Sequence, residues 1–206
     1  YAHETPRHPQ LWSKSSRREK AHVQAFISFT LSPVHTNEYI VEDAKQLEEL
    51  GADSICIKDM AGLLKPYTCY DRVKALKEAV SIPIDIHSHY TAGLASMSII
   101  KGIEAGADII DTAMSPLALG TSHMPTESLV AALQGTEYDT GLDLAKLNVV
   151  REHFAKLREK YIANGQINPK VLGVDANTLL YQVPGGMLSN MIKQLKDAGK
   201  EDQLDE

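Results

Sequence analysis

The chain has few cysteines and no long run of apolar residues. Its 206 residues include two cysteines, Cys56 and Cys69, which is too few for a disulfide framework and favours a reducing compartment. No apolar stretch approaches the roughly 20 residues that span a bilayer, and none resembles the apolar core of a signal peptide. We therefore expect a cytoplasmic protein with no direct membrane insertion.

The chain also lacks an excess of positive charge. Its net charge is −6 and its isoelectric point is near 5.8, and the basic run at residues 14–20 is short and fits a solvated helix face. This balance argues against a nucleic-acid interface. The hydrophobic fraction of 43% is ordinary for a globular protein, and the length suits one domain or most of a larger one. Because the chain starts at Tyr1 and stops at Glu206, we expect that it is cut at both ends.

Strand-like and helix-like patterns alternate from about residue 23 onward. The strand-like runs lie at residues 23–30, 54–57, 82–89 and 108–112. Each run is followed by apolar residues at helical spacing. Residues 49–55 and 104–110 repeat one unit, in which a helix end, a glycine and a strand start follow each other. Such units predict parallel strands covered by helices. No glycine-rich phosphate loop follows a strand, so we favour half of a (β/α)8 barrel over a doubly wound sheet.

The pattern changes near residue 140. Residues 144–161 show a long amphipathic pattern rich in Lys, Arg and Glu, and a shorter helical pattern covers residues 188–198. We therefore predict three parts. They are an unmatched or partly helical N-terminal end at 1–22, a partial barrel domain at 23–140, and a truncated helical extension at 141–206.

Two histidines end the third predicted strand. His87 and His89 are two residues apart, and side chains alternate across a strand, so both should point to the same side. Two imidazoles at one strand end supply half of a first-row metal site. The alternative is that one histidine is a satisfied structural residue and the other is merely exposed to solvent.

Lys58 ends the second predicted strand. A lysine at an apolar strand end is costly unless it is paired or used chemically. One interpretation is an ion pair with Asp59 or Asp111. The other is that a desolvated lysine beside a metal loses its proton, and that its neutral amine captures carbon dioxide as a carbamate. Lys58, His87 and His89 would then supply one oxygen and two nitrogens.

Five segments carry a resemblance to a known family. They are residues 32–36 (SPVHT), 54–64 (SICIKDMAGLL), 87–89 (HSH), 125–128 (PTES) and 184–190 (PGGMLSN). They resemble the biotin-dependent carboxyltransferases, which include the oxaloacetate decarboxylase α subunit, the carboxyltransferase part of pyruvate carboxylase and the central subunit of transcarboxylase. The resemblance covers about residues 20–206. The Lys-Asp-Met and His-x-His motifs together are specific to it, and the first and last segments indicate the branch with stand-alone subunits.

The resemblance implies a (β/α)8 barrel followed by a helical segment. It also implies a divalent metal of the zinc, cobalt or manganese class, held by a carbamylated lysine, two histidines and an aspartate. Lys58, His87 and His89 match the first three of these ligands. The aspartate belongs to the first barrel strand, so the four predicted strands correspond to about the fifth to eighth of the barrel. Asp59 and Asp111 are then carboxylates that support the ligands or the fold.

The resemblance also implies a role in proton transfer for one threonine. Members of the family use a threonine to move a proton between biotin and pyruvate, and Thr121 within residues 120–122 (GTS) matches that position. The alternative for Thr121 is a helix cap before Pro125.

The resemblance thus implies a fragment of an enzyme that moves a carboxyl group between biotin and pyruvate or oxaloacetate, and this fragment alone should be inactive. The implied partners are the keto acid, a biotinyl carrier domain or subunit, and further copies in a homo-oligomer when the protein is complete. Partner subunits could also hold it peripherally at a membrane.

Two alternatives to this function remain. One is a related metal-dependent lyase or synthase that acts on an acyl-CoA, which the Lys-Asp-Met strand end disfavours. The other is a non-catalytic barrel fragment whose helices serve as an assembly surface.

Overall fold

A computed structural model describes residues 21–182, 194–195 and 199. Strands and helices alternate in it, as the spacing predicts. Their order is β1 (Gln24–Ser28), α1 (Asn37–Glu49), β2 (Ser54–Asp59), α2 (Pro66–Ala79), β3 (Ile84–Ser88), α3 (Ala95–Glu104), β4 (Ile109–Ile110), α4 (Thr126–Leu133), α5 (Leu144–Ala163) and α6 (Thr178–Tyr181), with 3-10 turns at Ser115–Leu117 and Pro169–Leu172.

Some sequence-based expectations fall where the structure gives no description. The segment 184–190 and the N-terminal end up to residue 20 lie outside the described residues, and so does the predicted helix at 188–198 apart from residues 194–195. The long C-terminal helix is confirmed, because the pattern at 144–161 corresponds to α5, which is 20 residues long.

The four strands form one parallel sheet in the order β1-β2-β3-β4. Helices α1, α2 and α3 therefore each connect two neighbouring strands, which is the arrangement expected of repeating β/α units. The carboxyl ends of the strands consequently meet at one edge of the sheet. The chain is an α/β protein with a parallel sheet, and that edge is where the candidate site lies.

β4 is shorter than the predicted run at 108–112. Only Ile109 and Ile110 form the strand, and β4 pairs with β3 alone among the described strands. The flanking backbone still follows β3. Asp108 donates its backbone N–H to the Ile84 carbonyl at 2.9 Å, and the residue after β4 donates similarly to β3 at 3.0 Å.

One face of the sheet packs against helices α1, α2 and α3. The alternate residues of β2 and β3 on this face are isoleucines, and each fully buried side chain of this kind stabilises the fold by about 1.5–3 kcal/mol. α3 approaches the sheet at Gly102, where an added Cβ would clash with the side chain of Ile86. The buried residues at the centre of this core are Ile55, Ile57, Val73, Leu76, Ile84, Ile86 and Ile99.

The opposite face of the sheet carries polar side chains. The Gln24 amide donates to the Asp85 carboxylate at 2.9 Å, and Cys56 pairs with Asp85 in the register of β2 and β3. Asp85 is 1% exposed, and burial raises its pKa. Because residues two apart on a strand share a face, Lys58 and His87 extend from this polar face at the strand ends.

The helices of the described part include none that is long and apolar enough to cross a membrane. α1 begins after Thr36, whose hydroxyl accepts the N–H of Tyr39 at 3.3 Å. α5 begins after Asp143, whose carboxylate accepts the N–H of Ala145 at 2.8 Å. Such caps satisfy backbone donors that a helix start leaves free.

Candidate metal centre

His87 and His89 lie side by side at the carboxyl end of β3. Their ring centroids are 5.3 Å apart, so the two rings do reach the same side of the strand end, as the alternation of side chains predicts. His87 is the residue before the last position of β3, and His89 directly follows the strand. The end of β3 therefore presents two imidazoles to one small volume.

A third histidine, His123, completes this cluster. Its ring centroid lies 4.4 Å from that of His87 and 4.6 Å from that of His89. One ligating atom from each ring lies within 4.8 Å of the others, so the three rings are close enough to share one cation after a small adjustment. His123 belongs to the loop between β4 and α4.

The sequence analysis missed His123. Its only signal is that it lies in a loop after a predicted parallel strand, at the edge where such loops converge. Sequence spacing does not indicate that His123 is a ligand, because it is 34 residues from His89 and lies in no strand. A search for every histidine between a predicted strand end and the next helix would have selected it.

Each of the three rings has its Nδ1 next to an acceptor. The His87 Nδ1 is 2.7 Å from the Asp111 Oδ2, the His89 Nδ1 is 2.7 Å from the Thr121 carbonyl oxygen, and the His123 Nδ1 is 3.0 Å from the Ser88 carbonyl oxygen. A carbonyl oxygen only accepts, so Nδ1 carries the proton and donates in the latter two rings, which leaves Nε2 with a free lone pair. This is the usual preparation of a metal-binding histidine.

Burial favours the neutral form of two of these rings. It lowers the pKa of His89, and the Thr121 carbonyl offsets part of this effect. Burial also lowers the pKa of His123, and the Ser88 carbonyl again acts in the opposite direction. A neutral imidazole is the form that binds a metal ion, because a protonated ring has no lone pair to donate.

Lys58 lies beside the histidine cluster on the neighbouring strand. It pairs with His87 in the register of β2 and β3, and with Ser28 in the register of β1 and β2. Its side chain is partly buried, and its Nζ lies 5.1 Å from the centroid of the Phe26 ring. Between described residues, no ion pair joins Lys58 to Asp59 or Asp111, so the ion-pair interpretation is not what the structure shows.

The two carboxylates predicted to support the site have different partners. Asp111 contacts His87 directly, as given above. Asp59 is fully buried and accepts the N–H groups of Leu63 and Leu64 at 2.9 Å each, together with the Ser88 hydroxyl at 2.8 Å. Burial raises the pKa of Asp59, against the effect of these three donors. Asp59 thus fixes the loop after β2 against the end of β3, and its backbone carbonyl also accepts the N–H of His89 at 3.0 Å.

Thr121 contributes its backbone carbonyl to the cluster. It lies in a tight turn in which Leu119 and Gly120 both have positive φ, 70° and 53°, and the strain of a left-handed leucine is a feature that functional loops often retain. Thr121 does not cap the following helix, because α4 begins at Thr126 and its N-cap is Pro125. The helix-cap alternative is therefore not what the structure shows.

The residues present suit a divalent transition metal. Imidazole nitrogens bind zinc, cobalt, nickel and copper well, and burial favours the neutral, metal-binding form of His89 and His123. Lys58 on the adjacent strand is close enough in the register to contribute a fourth group. The chemistry of this donor set therefore fits the metal that the resemblance implies.

The chain is similar to known proteins over most of its length. The chain is 58% identical to a pyruvate carboxylase subunit of Methanocaldococcus jannaschii over 94% of its own length and 34% of the relative. It is 48% identical to the methylmalonyl-CoA carboxyltransferase 5S subunit of Propionibacterium freudenreichii over 90% of this chain and 36% of the relative.

A solved structure shares the fold. The carboxyl transferase domain of Rhizobium etli pyruvate carboxylase with pyruvate and biocytin matches with a TM-score of 0.88 and 33% identity, over 94% of this chain and 33% of that one. The chain thus spans about a third of the length of the relatives it matches. The HMGL-like family model matches residues 17–153, which is more than half of the sequence, so the chain belongs to the HMGL-like family.

Proposed function

We propose that this chain is part of a metal-dependent carboxyltransferase that moves a carboxyl group between biotin and pyruvate or oxaloacetate. The observation that carries the proposal is the group of His87, His89 and His123 at the carboxyl edge of the sheet, with Lys58 in register beside it. The similarity to the pyruvate carboxylase subunit of Methanocaldococcus jannaschii supports the reaction class. The carboxyl transferase domain solved with pyruvate and biocytin supports the substrate and the carboxyl carrier.

We place the four strands as about the fifth to eighth of a (β/α)8 barrel. The polar face of the sheet would then line the barrel interior, which accounts for the buried Asp85 and its partner Gln24 on the side away from the helices. The site lies at the carboxyl ends of the strands, where barrel enzymes carry their chemistry. The remaining strands, with the aspartate ligand that the resemblance implies, would come from outside this segment.

Lys58 is proposed to act as a carbamate. The Lys58 ammonium first loses one proton to solvent. The lone pair of the neutral amine then attacks carbon dioxide, a C–N bond forms as one C=O π bond opens, and a second proton leaves to solvent, so a cationic side chain becomes an anionic oxygen donor. The pairing of Lys58 with His87 in the register of β2 and β3 supports this role. A divalent metal of the zinc, cobalt or manganese class would then be held by Lys58, His87 and His89, and would supply a Lewis acid toward the keto acid.

The remaining residues position these groups. Asp111 holds the ring of His87 through Nδ1, and the Thr121 carbonyl holds the ring of His89 in the same way.

The Thr121 hydroxyl is proposed to carry the proton in the transfer. When the carbon–carbon bond of oxaloacetate breaks, the carboxyl group passes to a biotin nitrogen, and the electron pair of that bond remains in the enolate of pyruvate. The proton displaced from the biotin nitrogen then passes to the CH2 carbon of the enolate, which becomes the methyl group of pyruvate. Pyruvate carboxylation is the same path reversed.

The proposal implies partners beyond this segment. Biotin would be supplied by a carrier domain or subunit, the complete protein would form a homo-oligomer, and a cytoplasmic location suits these partners. Oxaloacetate decarboxylases and pyruvate carboxylases share the chemistry, so the proposal covers both directions.

The test is metal analysis combined with biotin-dependent oxaloacetate decarboxylation in the full-length protein. We expect a bound divalent metal and pyruvate formation that needs biotin, both of which His87→Ala should abolish. His153→Ala is the matched control, because His153 is an exposed histidine on α5. The proposal would be contradicted by a protein that is inactive with biotin but cleaves or forms a carbon–carbon bond of an acyl-CoA. That result would favour the lyase or synthase class.

A further inference from the structure

We infer that His123 is a direct ligand of the metal, so that the centre contains three imidazoles. The inference rests on the proposed metal-dependent function and deepens it. The resemblance assigns two histidines to this centre, and nothing in the motifs marks a third. The geometry adds His123 from a different part of the chain.

The distances support a shared ion. A zinc ion binds imidazole nitrogen at about 2.0–2.1 Å, so two nitrogens on one tetrahedral ion are about 3.3 Å apart. The ligating atoms of the three rings already lie within 4.8 Å of one another, and the His123 ring is closer to each of its neighbours than those two rings are to each other. Small side-chain movements would close the remaining gap.

The orientation of His123 supports the same role. Its Nδ1 donates to the Ser88 carbonyl at 3.0 Å, and Ser88 lies between the two predicted ligands in the sequence. The Nε2 atom of this ring is therefore the unprotonated one. The backbone of His123 is held as well, because its carbonyl accepts the N–H of Leu119 at 2.8 Å. A ring fixed in this way loses little conformational freedom when it binds an ion.

The surrounding loop is anchored to the strand that carries the other ligands. Tyr90 donates its backbone N–H to the Ser122 carbonyl at 2.7 Å, and Ala113 and Pro125 form a parallel bridge at the base of the loop. The position of His123 relative to His89 is therefore set by several backbone contacts. This is the degree of support that a metal ligand requires.

Three imidazoles change what the centre needs from Lys58. Three histidines with one open position are a sufficient protein ligand set for zinc. If His123 is a ligand, carbamylation of Lys58 strengthens metal binding without being required for it. The centre should then retain a metal, at reduced affinity, in a Lys58→Ala variant.

A competing role for His123 is to attach the loop to β3 without touching the metal. Two substitutions separate these roles, because the amide nitrogen of asparagine occupies a position like that of Nδ1, and the amide nitrogen of glutamine occupies one like that of Nε2. His123→Asn can keep the donor to the Ser88 carbonyl while it removes the metal-facing nitrogen. His123→Gln loses the donor to Ser88. A ligand role predicts that both variants bind metal at least about tenfold more weakly, whereas an attachment role predicts that only His123→Gln does so.

The experiment is a metal titration of the full-length protein, depleted of metal and reloaded with zinc or cobalt. In the cobalt-loaded protein, each bound imidazole gives one exchangeable N–H signal shifted by the paramagnetic ion in the proton NMR spectrum. We expect a signal in the wild type that is absent in His123→Asn and present in the control His153→Asn. Wild-type affinity and an unchanged set of shifted signals in His123→Asn would overturn the inference.

The outcomes separate this inference from the proposed function. Loss of metal in His87→Ala with full retention in His123→Asn would remove His123 from the centre and leave the proposed function intact. Retention of metal in His87→Ala would remove the centre itself. If His123→Asn does not fold, the cobalt-loaded wild-type protein provides the test. Nuclear Overhauser contacts should then connect one shifted N–H signal to the ring proton and the backbone of His123. The absence of these contacts would overturn the inference.

Discussion

Lys58 and His87 face each other as paired residues in the parallel register of β2 and β3. Neighbouring strands lie about 4.8 Å apart, so the Lys58 side chain starts one strand spacing from the histidine that Asp111 holds. This relationship comes from backbone hydrogen bonding, and it survives substitution of either side chain. It makes Lys58 the natural residue for the first test.

Substitution of Lys58 should separate metal affinity from catalysis. Lys58→Ala should abolish carboxyl transfer and weaken metal binding. Lys58→Arg should have the same two effects, because guanidinium keeps its charge and forms no carbamate of this kind. Lys58→Glu should retain more metal than either, since it supplies a shorter carboxylate. Metal content and turnover of the full-length variants measure this.

Bicarbonate should act through the same residue. Removal of carbon dioxide at mildly acidic pH should weaken metal binding, and bicarbonate added back at the same pH should restore it. The metal-loaded protein should carry the added mass of one carbon dioxide on Lys58. An unmodified Lys58 in the metal-loaded protein would show that Lys58 does not act as a carbamate.

Asp111 should control metal affinity through His87. Asp111→Asn replaces a carboxylate at 2.7 Å from the His87 Nδ1 with a weaker acceptor, and loss of such a support typically costs about 10- to 100-fold in metal affinity or activity. Asp71→Asn, at an exposed position on α2, is the matched control. Equal zinc affinity in the two variants would show that Asp111 supports only the fold.

Thr121 allows its hydroxyl to be tested apart from its carbonyl. Thr121→Ala keeps the carbonyl that holds His89, so metal content should stay unchanged, while loss of a proton-transfer group should slow carboxyl transfer by about 10²- to 10⁴-fold. Thr121→Ser should retain a clear fraction of the rate. If the alanine and serine variants are equally active, Thr121 acts through its carbonyl alone.

Glu48 should contribute a pH-dependent part of the stability. Its carboxylate accepts the Ser81 hydroxyl at 2.6 Å and the Ser81 N–H at 2.9 Å, and these bonds lower the pKa of Glu48 below its ordinary 4.5. Because the native state then binds fewer protons than the unfolded state, this stabilisation is fully present above about pH 4.5 and is lost as the pH falls through the lowered pKa. Glu48→Gln should lower the Tm at neutral pH and flatten its fall in acid, relative to the exposed control Glu49→Gln.

The regular part of the fold was predictable because it follows from local spacing. Apolar periodicity located the helices and the strands, and the two-residue repeat of a strand placed His87 and His89 together. The same rule placed Lys58 at the neighbouring strand end, but spacing alone left its partner open. The structure excludes the ion pair with Asp59, because that carboxylate binds backbone groups of the following loop.

The loop after β4 was not predictable in the same way. The position of His123 depends on hydrogen bonds to the end of β3 that no local pattern encodes. The short length of β4 also depends on tertiary context, since its apolar run forms only two register pairs with β3. Asp111 was identified as a supporting carboxylate, but its particular partner emerged only when β3 and β4 were placed side by side.

The hydrogen bonds of His89 and His123 run in opposite directions between the same two segments. The His89 ring donates to the loop at Thr121, and the His123 ring donates to the strand at Ser88. Neither ring can turn without releasing a contact that positions the segment of the other. Substitutions at the two positions should therefore have strongly non-additive effects in a double-mutant cycle. The loop after β4 should also gain protection from hydrogen exchange when metal binds, because the ion adds a further contact to those that already join this loop to β3.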